Sequence, residues 1–133
     1  MRRAGTIAMI RWSAALLALA GLMGAAGVGL AAWAAHRSGG DTLMTAALFL
    51  LIHASAVAGL SRNAPTTSIL APATILALGA SLFSGDLALR LTANLKPWAM
   101  AAPTGGVLMI VGWLGLAAVG LAQAADAAKP DKR

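Results

Sequence analysis

The chain has 133 residues, of which 59% are hydrophobic and 11% are charged; soluble domains carry about 25% charged residues, so this composition indicates a membrane protein. The net charge is +6, but the ten basic residues are scattered at the ends of apolar runs and form no basic stripe, which excludes nucleic-acid binding. The absence of cysteine excludes disulfides, thiolate metal sites and cysteine nucleophiles.

The first apolar run extends from Trp12 to Ala35 without a charged residue, so it predicts a membrane-spanning helix. A cleaved signal peptide is the alternative, but the run is longer than the roughly 7–15 apolar residues of a signal sequence. Within the run, Gly21, Ala25 and Gly29 recur every four residues and share one helix face. Small residues let helices approach closely in lipid, so these three predict a helix-packing face.

Three further spans are predicted after a polar link at His36–Asp41, which contains a helix stop at Gly39-Gly40. Their bounds are 42–61, 68–91 and 99–124, and a charged tail follows at 126–133. Asp41 and Thr42 are placed to cap the second helix. Pro72 falls in the first turns of the third helix, where its missing N–H does least harm. The whole chain is therefore predicted to be one integral membrane domain, an all-α bundle of four transmembrane helices.

The basic residues outside the spans predict the topology. Four spans place both termini on one side of the membrane. That side holds seven basic residues, namely Arg2, Arg3, Arg11, Arg62, Lys129, Lys132 and Arg133. The other side holds Arg37 and Lys96, with Arg90 as a third if its side chain reaches the interface. Because basic loops remain in the cytoplasm, we expect both termini to be cytoplasmic in a protein of the cell inner membrane.

Two histidines are candidate functional residues. His53 lies eleven residues into the second span, near the midplane, where an ionisable residue suggests a function by default. A structural hydrogen bond to a neighbouring helix is the alternative, and a proton or cofactor role stays open beside it. His36 lies at the outer end of the first span. The two histidines differ in depth, which argues against an axial pair for haem and against zinc catalysis, which needs three ligands.

The last part of the third span contains the triplet Ser84-Gly85-Asp86, and Arg90 follows the acid by four residues. On a helix, Asp86 and Arg90 share a face in the favourable order. An unpaired carboxylate below the membrane surface is costly, so we predict an ion pair that reaches the interface, with a proton or ligand site as the alternative. Ser84 is not part of a G-x-S-x-G nucleophile elbow, and we expect no enzymatic activity.

The last span begins with Pro103-Thr104-Gly105-Gly106, which would place a proline and two glycines in the first turns of a helix. Backbone N–H groups at such a helix start can bind an anion, with Thr104 as a candidate polar residue. The favoured interpretation is close packing of the helix against a neighbour, with Gly105, Gly106 and Gly112 as the small residues.

Four motifs carry a resemblance to a known family. They are GLAAWAAH at Gly29–His36, the run from Thr45-Ala46 to His53-Ala54, Phe83-Ser84-Gly85 with Leu91-Thr92, and Pro103–Gly106 with Gly112-Trp113. Together they resemble the YgdD-like small membrane proteins of bacteria, or domain of unknown function 423, which are similar to eukaryotic transmembrane protein 256. The resemblance covers about Trp12 to Ala122 and implies four helices and an inner-membrane location. It implies no activity.

The chain departs from the family's pattern at three places. Asp86 stands where the family usually has Ser or another small polar residue, and Ala102 stands where it has Thr. Phe49–Ile52 replaces the polar and aromatic residues that usually precede the histidine of the second span. These changes preserve the fold but weaken any polar function shared across the family at these positions.

The leading functional hypothesis is a non-catalytic accessory or structural subunit, without a cofactor, that packs against a larger membrane complex such as an energy-converting one. Its expected partners are membrane lipids and other membrane protein subunits. A second hypothesis is a proton, ion or solute pathway, which requires His53, Asp86 and Arg90 to converge on one water-accessible cavity. A third is a lipid- or quinone-binding module that uses a groove between helices.

Overall fold

A computed structural model of the chain describes residues 2–37, 40–62, 66–93 and 99–129. These residues form four helices and no strand. The helices are α1 (Arg2–Ala35), α2 (Asp41–Arg62), α3 (Thr67–Thr92) and α4 (Ala101–Ala127). Each is long and apolar enough to cross a membrane. The predicted fold class, an all-α bundle of four helices of membrane-spanning length, is therefore confirmed.

Parts of three predictions lie outside the described residues. They are Gly39 of the predicted helix stop, Lys96 of the topology count, and residues 130–133 of the charged tail. The orientation of the termini relative to the cytoplasm stays a prediction.

The helices differ in detail from the apolar runs. Helix α1 begins ten residues before Trp12, and its 34 residues make it about 51 Å long, which exceeds the roughly 30 Å of a hydrocarbon core. The Gly40 carbonyl accepts a hydrogen bond of 2.8 Å from the Met44 N–H. Asp41 is therefore the first residue of α2 rather than its cap, and its charge favours the positive end of the helix dipole.

The two prolines inside helices have different consequences. Pro103 is the third residue of α4, where a backbone N–H would have no partner within the helix. Pro72 is the sixth residue of α3, so the carbonyl of Ser68 lacks the N–H that would normally bond to it. The harm is confined to one hydrogen bond near the start of the helix.

The packing order makes α3 the central helix. Helix α1 packs against α2, α2 against α3, and α3 against α4, with a smaller contact between α1 and α3. The described backbones of α1 and α4 are not neighbours. Three of the described hydrogen bonds join α1 to the other helices at the end of the bundle that carries the termini, and in one of them Thr67 Oγ1 donates to Met9 Sδ at 3.8 Å. Trp12 Nε1 donates to Thr74 Oγ1 at 3.0 Å, and Ser13 Oγ donates to the Ser61 carbonyl at 2.6 Å.

Glycine determines the close contact between α3 and α4. A Cβ atom on Gly105 would lie 2.6 Å from the Gly79 carbonyl oxygen, and one on Gly112 would lie 2.7 Å from Leu76 Cγ. The structure thus places Gly105 and Gly112, both predicted as packing residues, in this interface. Gly106 lies outside it, because a Cβ atom there would meet nothing within 4 Å. Gly79, the partner that sequence reasoning missed, allows the two backbones to touch.

The predicted packing face of α1 does not pack against another helix in the part of the chain that the structure describes, and its role stays a prediction. Gly21, Ala25 and Gly29 are exposed, and a Cβ atom on either glycine would meet nothing within 4 Å. The buried residues of α1 are instead Leu16, Ala20, Met23, Gly27 and Ala34. They follow one another at spacings of four, three, four and seven residues, which match the seven-residue period of a helix-packing seam. Small residues occur on every side of α1. Their positions in the sequence therefore could not show which face of α1 packs against α2.

We predict that Gly105→Ala lowers the free energy of unfolding by about 2 kcal/mol, because the added methyl group must separate α3 from α4. Gly106→Ala is the matched control, since its methyl group enters open space, and we expect it to cause no loss. Unfolding in mixed micelles with increasing dodecyl sulfate, followed by circular dichroism, measures both. Equal effects of the two substitutions would contradict the assigned interface.

Candidate functional site

His53 is buried in the middle of α2, and both of its ring nitrogens have partners. Nδ1 lies 2.7 Å from the Phe49 carbonyl oxygen, and Nε2 lies 3.3 Å from Trp113 Nε1 on α4. An indole nitrogen only donates and a carbonyl only accepts, so the ring carries its proton on Nδ1 and is neutral. This arrangement matches the structural alternative for His53, in which the ring bonds to a neighbouring helix.

Aromatic rings enclose this histidine. Phe49 stacks on the His53 ring with centroids 6.0 Å apart, and Phe83 from α3 contacts Phe49 at 4.8 Å. The cluster therefore joins α2, α3 and α4. Trp113 is the residue that sequence reasoning missed. The sequence did contain an indication of its role. The indole N–H of Trp113 lies in the middle of an apolar span, where it needs a hydrogen-bond acceptor inside the protein.

Asp86 and Arg90 form the predicted ion pair near the last turn of α3. Arg90 Nε lies 2.8 Å from Asp86 Oδ2. The Asp86 side chain is 1% exposed and the Arg90 side chain 30% exposed. Arg90 also directs Nη2 toward the Ala99 carbonyl at 3.4 Å. The carboxylate is thus held inside the bundle while the guanidinium reaches its edge, as expected for a buried charge near the membrane surface.

The second carboxylate oxygen of Asp86 is buried without a hydrogen-bond partner among the described residues. Pro72, Leu76, Gly79 and Phe83 of α3 all face α4, at spacings of four, three and four residues. The next position in this series is Asp86, which places it toward the first turn of α4. The positive end of that helix dipole, together with Arg90, offsets the cost of burying the charge.

Ser84 lies on a different side of α3, at a groove between α1 and α3. This α1–α3 groove has a volume of about 570 Å³. Its lining includes Leu22, Gly29, Leu50, Ser81, Ser84 and Gly85. Ser84 is fully buried, and its hydroxyl has no hydrogen-bond partner among the described residues. The groove is therefore apolar except at two serines of α3.

The remaining candidates are His36 and Thr104. His36 is exposed just after α1, next to Arg37, whose guanidinium lies 5.4 Å from the centre of the Trp33 ring. Thr104 lies in the first turn of α4, and its backbone N–H bonds to the Met100 carbonyl at 2.9 Å. The start of α4 packs against α3 through Gly105. This geometry supports close packing over anion binding at the Pro103–Gly106 segment.

The three residues of the pathway hypothesis do not converge. His53 is closed in by aromatic rings in the middle of α2, whereas Asp86 and Arg90 pair with each other near the end of α3. None of the three lines the α1–α3 groove. The condition for a shared water-accessible pathway is therefore not met by these residues, and the geometry gives that hypothesis no support.

A comparison with protein families identifies the chain's relatives. A family model described as "Protein of unknown function (DUF423)" matches residues 23–106, more than half of the chain. The match confirms the resemblance to domain of unknown function 423, over a shorter stretch than predicted, since Gly112-Trp113 lies beyond it. No curated protein matches the chain, and no solved structure matches it. The similarity to eukaryotic transmembrane protein 256 stays a prediction.

We predict that Arg90→Ala lowers the free energy of unfolding by about 3 kcal/mol, because it leaves the buried Asp86 carboxylate without its partner. The double substitution Asp86→Ala/Arg90→Ala should cost less than Arg90→Ala alone, since it also removes the charge. Lys129→Ala breaks an exposed pair with Asp126 and should have no measurable effect. Dodecyl sulfate unfolding of the four proteins tests this, and a double variant that is as unstable as Arg90→Ala or less stable would contradict it.

Proposed function

We propose that this chain, which belongs to the DUF423 family of proteins of unknown function, is an accessory or structural subunit of a larger membrane complex. The observation that carries this proposal is the exposed small-residue strip of α1, formed by Gly21, Ala25 and Gly29. The strip contributes nothing to packing within the chain. Small residues spaced by four let two helices approach closely in lipid, so the strip suits a helix of another subunit.

The state of the buried polar groups supports a role without catalysis. Both nitrogens of His53 are engaged, and the Asp86 carboxylate is paired with Arg90. A catalytic acid or base needs a partner in the substrate within hydrogen-bond reach, and these side chains are occupied by the protein itself. The energetic role we assign to them is to fix how α2, α3 and α4 pack. An energy-converting complex is one candidate for the larger assembly.

The charge distribution supports cytoplasmic termini in a cell inner membrane. Arg11 and Arg62 are exposed at the end of the bundle that carries the termini, where α1 begins and α2 ends. At the opposite end, Arg37 lies over Trp33 and Arg90 is paired with Asp86. The basic residues outside the spans are more numerous on the side of the termini, which supports a cytoplasmic location for that side.

We expect green fluorescent protein fused after Arg133 to fluoresce, because it folds only in the cytoplasm. Alkaline phosphatase at the same position should be inactive, since it needs an oxidising compartment. Phosphatase inserted after Arg37, between α1 and α2, is the internal control and should be active. Whole-cell fluorescence and phosphatase assays give the result. The reverse pattern would show that the termini face outward.

We also predict that Gly21→Leu/Ala25→Leu abolishes assembly into a larger complex, because the added side chains keep a partner helix at a distance. The tagged full chain is extracted from its native membrane with a mild detergent and sized. Gly120→Leu on α4 is the matched control, because Gly120 is also an exposed glycine with open space around it. It should leave the complex intact.

Three outcomes would contradict the accessory role. The wild-type chain could migrate as a free small particle, or its complex could contain only copies of this chain. Alternatively, the complex could survive Gly21→Leu/Ala25→Leu unchanged. Circular dichroism of the purified variant checks that it folds, which we expect because neither side chain would enter the interior.

A further inference from the structure

The α1–α3 groove arises because these two helices meet only toward the end of the bundle that carries the termini. Trp12 bonds to Thr74 there, whereas the groove begins further along, at Leu19 of α1. Leu50 of α2 forms part of its floor. Leu22 is 70% exposed and Gly29 is also exposed, so the groove opens toward the lipid. Its volume of about 570 Å³ falls within the roughly 300–1,000 Å³ of small-molecule sites.

The serines of the groove differ from five other hydroxyl groups of the described helices. Five described hydroxyls donate to the carbonyl four residues earlier, those of Thr45, Ser55, Ser61, Thr74 and Thr92. Ser81 and Ser84 make no such bond among the described residues. Ser84 is fully buried with its oxygen unpaired, and Ser81, one turn earlier, is partly exposed. A hydroxyl without a partner in lipid is costly, so these two point to a ligand with a polar atom.

We propose that the groove binds one isoprenoid quinone, with a ring carbonyl accepting a hydrogen bond from Ser81 or Ser84 and the isoprenoid chain lying along α1. Hydroxyl groups donate readily to such a carbonyl. The chain would cover the apolar wall formed by Leu22 and Leu50. The proposal concerns binding alone and does not depend on the accessory role, because every residue in it belongs to this chain.

The depth of the serines selects a quinone over a phospholipid. Helix α3 is about 39 Å long, and Ser81 and Ser84 lie about 2 and 7 Å from its centre. The hydrocarbon core ends about 15 Å from the membrane centre. A phospholipid holds its ester carbonyls at that boundary next to a charged headgroup. A quinone ring carries only uncharged acceptors and enters the hydrocarbon, where the serines are.

Two glycines keep the groove open and provide the sharpest test. Gly29 on α1 and Gly85 on α3 both line it, and a Cβ atom on either would meet nothing within 4 Å. Gly85→Leu therefore fills the groove without pressing on a helix. Gly120→Leu places the same side chain in open space on α4, away from the groove.

The experiment titrates the purified full chain in detergent with decylubiquinone and counts bound molecules by native mass spectrometry. We expect one quinone per chain. Ser81→Ala/Ser84→Ala should weaken binding about tenfold, because the ring carbonyl loses its donors. Gly85→Leu should abolish binding. Gly120→Leu and Ser55→Ala, which removes a hydroxyl outside the groove, should bind as the wild type does.

Decylbenzene, which has no ring carbonyl, is added as a competitor. It should fail to displace the quinone at equal concentration. Equal competition by decylbenzene, or unchanged affinity in Ser81→Ala/Ser84→Ala, would show that the groove accepts hydrocarbon without recognising a carbonyl and would overturn the proposal. Failure of the wild type to bind, or binding that survives Gly85→Leu, would overturn it as well. Circular dichroism confirms that each variant remains helical.

Discussion

Close backbone contact between Gly79 and Gly105 holds α4 on the central helix, and the fold depends on it. In lipid, no hydrophobic force drives helices together, so association relies on van der Waals contact and on hydrogen bonds between helices. A methyl group on Gly105 would come within 2.6 Å of the Gly79 carbonyl oxygen, which shows how little space separates the two backbones. This proximity brings Trp113 within reach of His53.

The buried polar groups then stabilise the arrangement that the glycines permit. The indole of Trp113 completes the hydrogen bonding of His53 between α4 and α2, although the backbones of these helices are not neighbours. The Asp86–Arg90 pair removes the cost of an isolated carboxylate near the end of α3. The groups that first suggest chemistry in this family member are therefore largely committed to structure, which is why the functional proposals rest on surfaces instead.

Two features of α1 remain unused by the fold, and they face different surroundings. The strip of Gly21 and Ala25 is an exposed, smooth helix face suited to another helix. The α1–α3 groove is a concave apolar surface with two unpaired serine hydroxyls, suited to a small molecule. Gly29 belongs to both, because it ends the strip and lines the groove. A partner helix on the strip would therefore lie beside a ligand in the groove. The two would share Gly29 and no other residue of the strip.

The sequence alone determined what depends on local spacing: four apolar helices, the charge asymmetry and the Asp86–Arg90 pair, whose members are one helical turn apart. Tertiary structure decided which faces meet. Helix α1 carries small residues all round, so only its seam with α2 showed that Gly27 packs while Gly21 and Gly29 do not. The bond between His53 and Trp113 joins residues 60 positions apart, and the α1–α3 groove depends on how far two helices diverge. The periodicity of a sequence cannot predict such distances, because they depend on how the helices pack and not on any one helix.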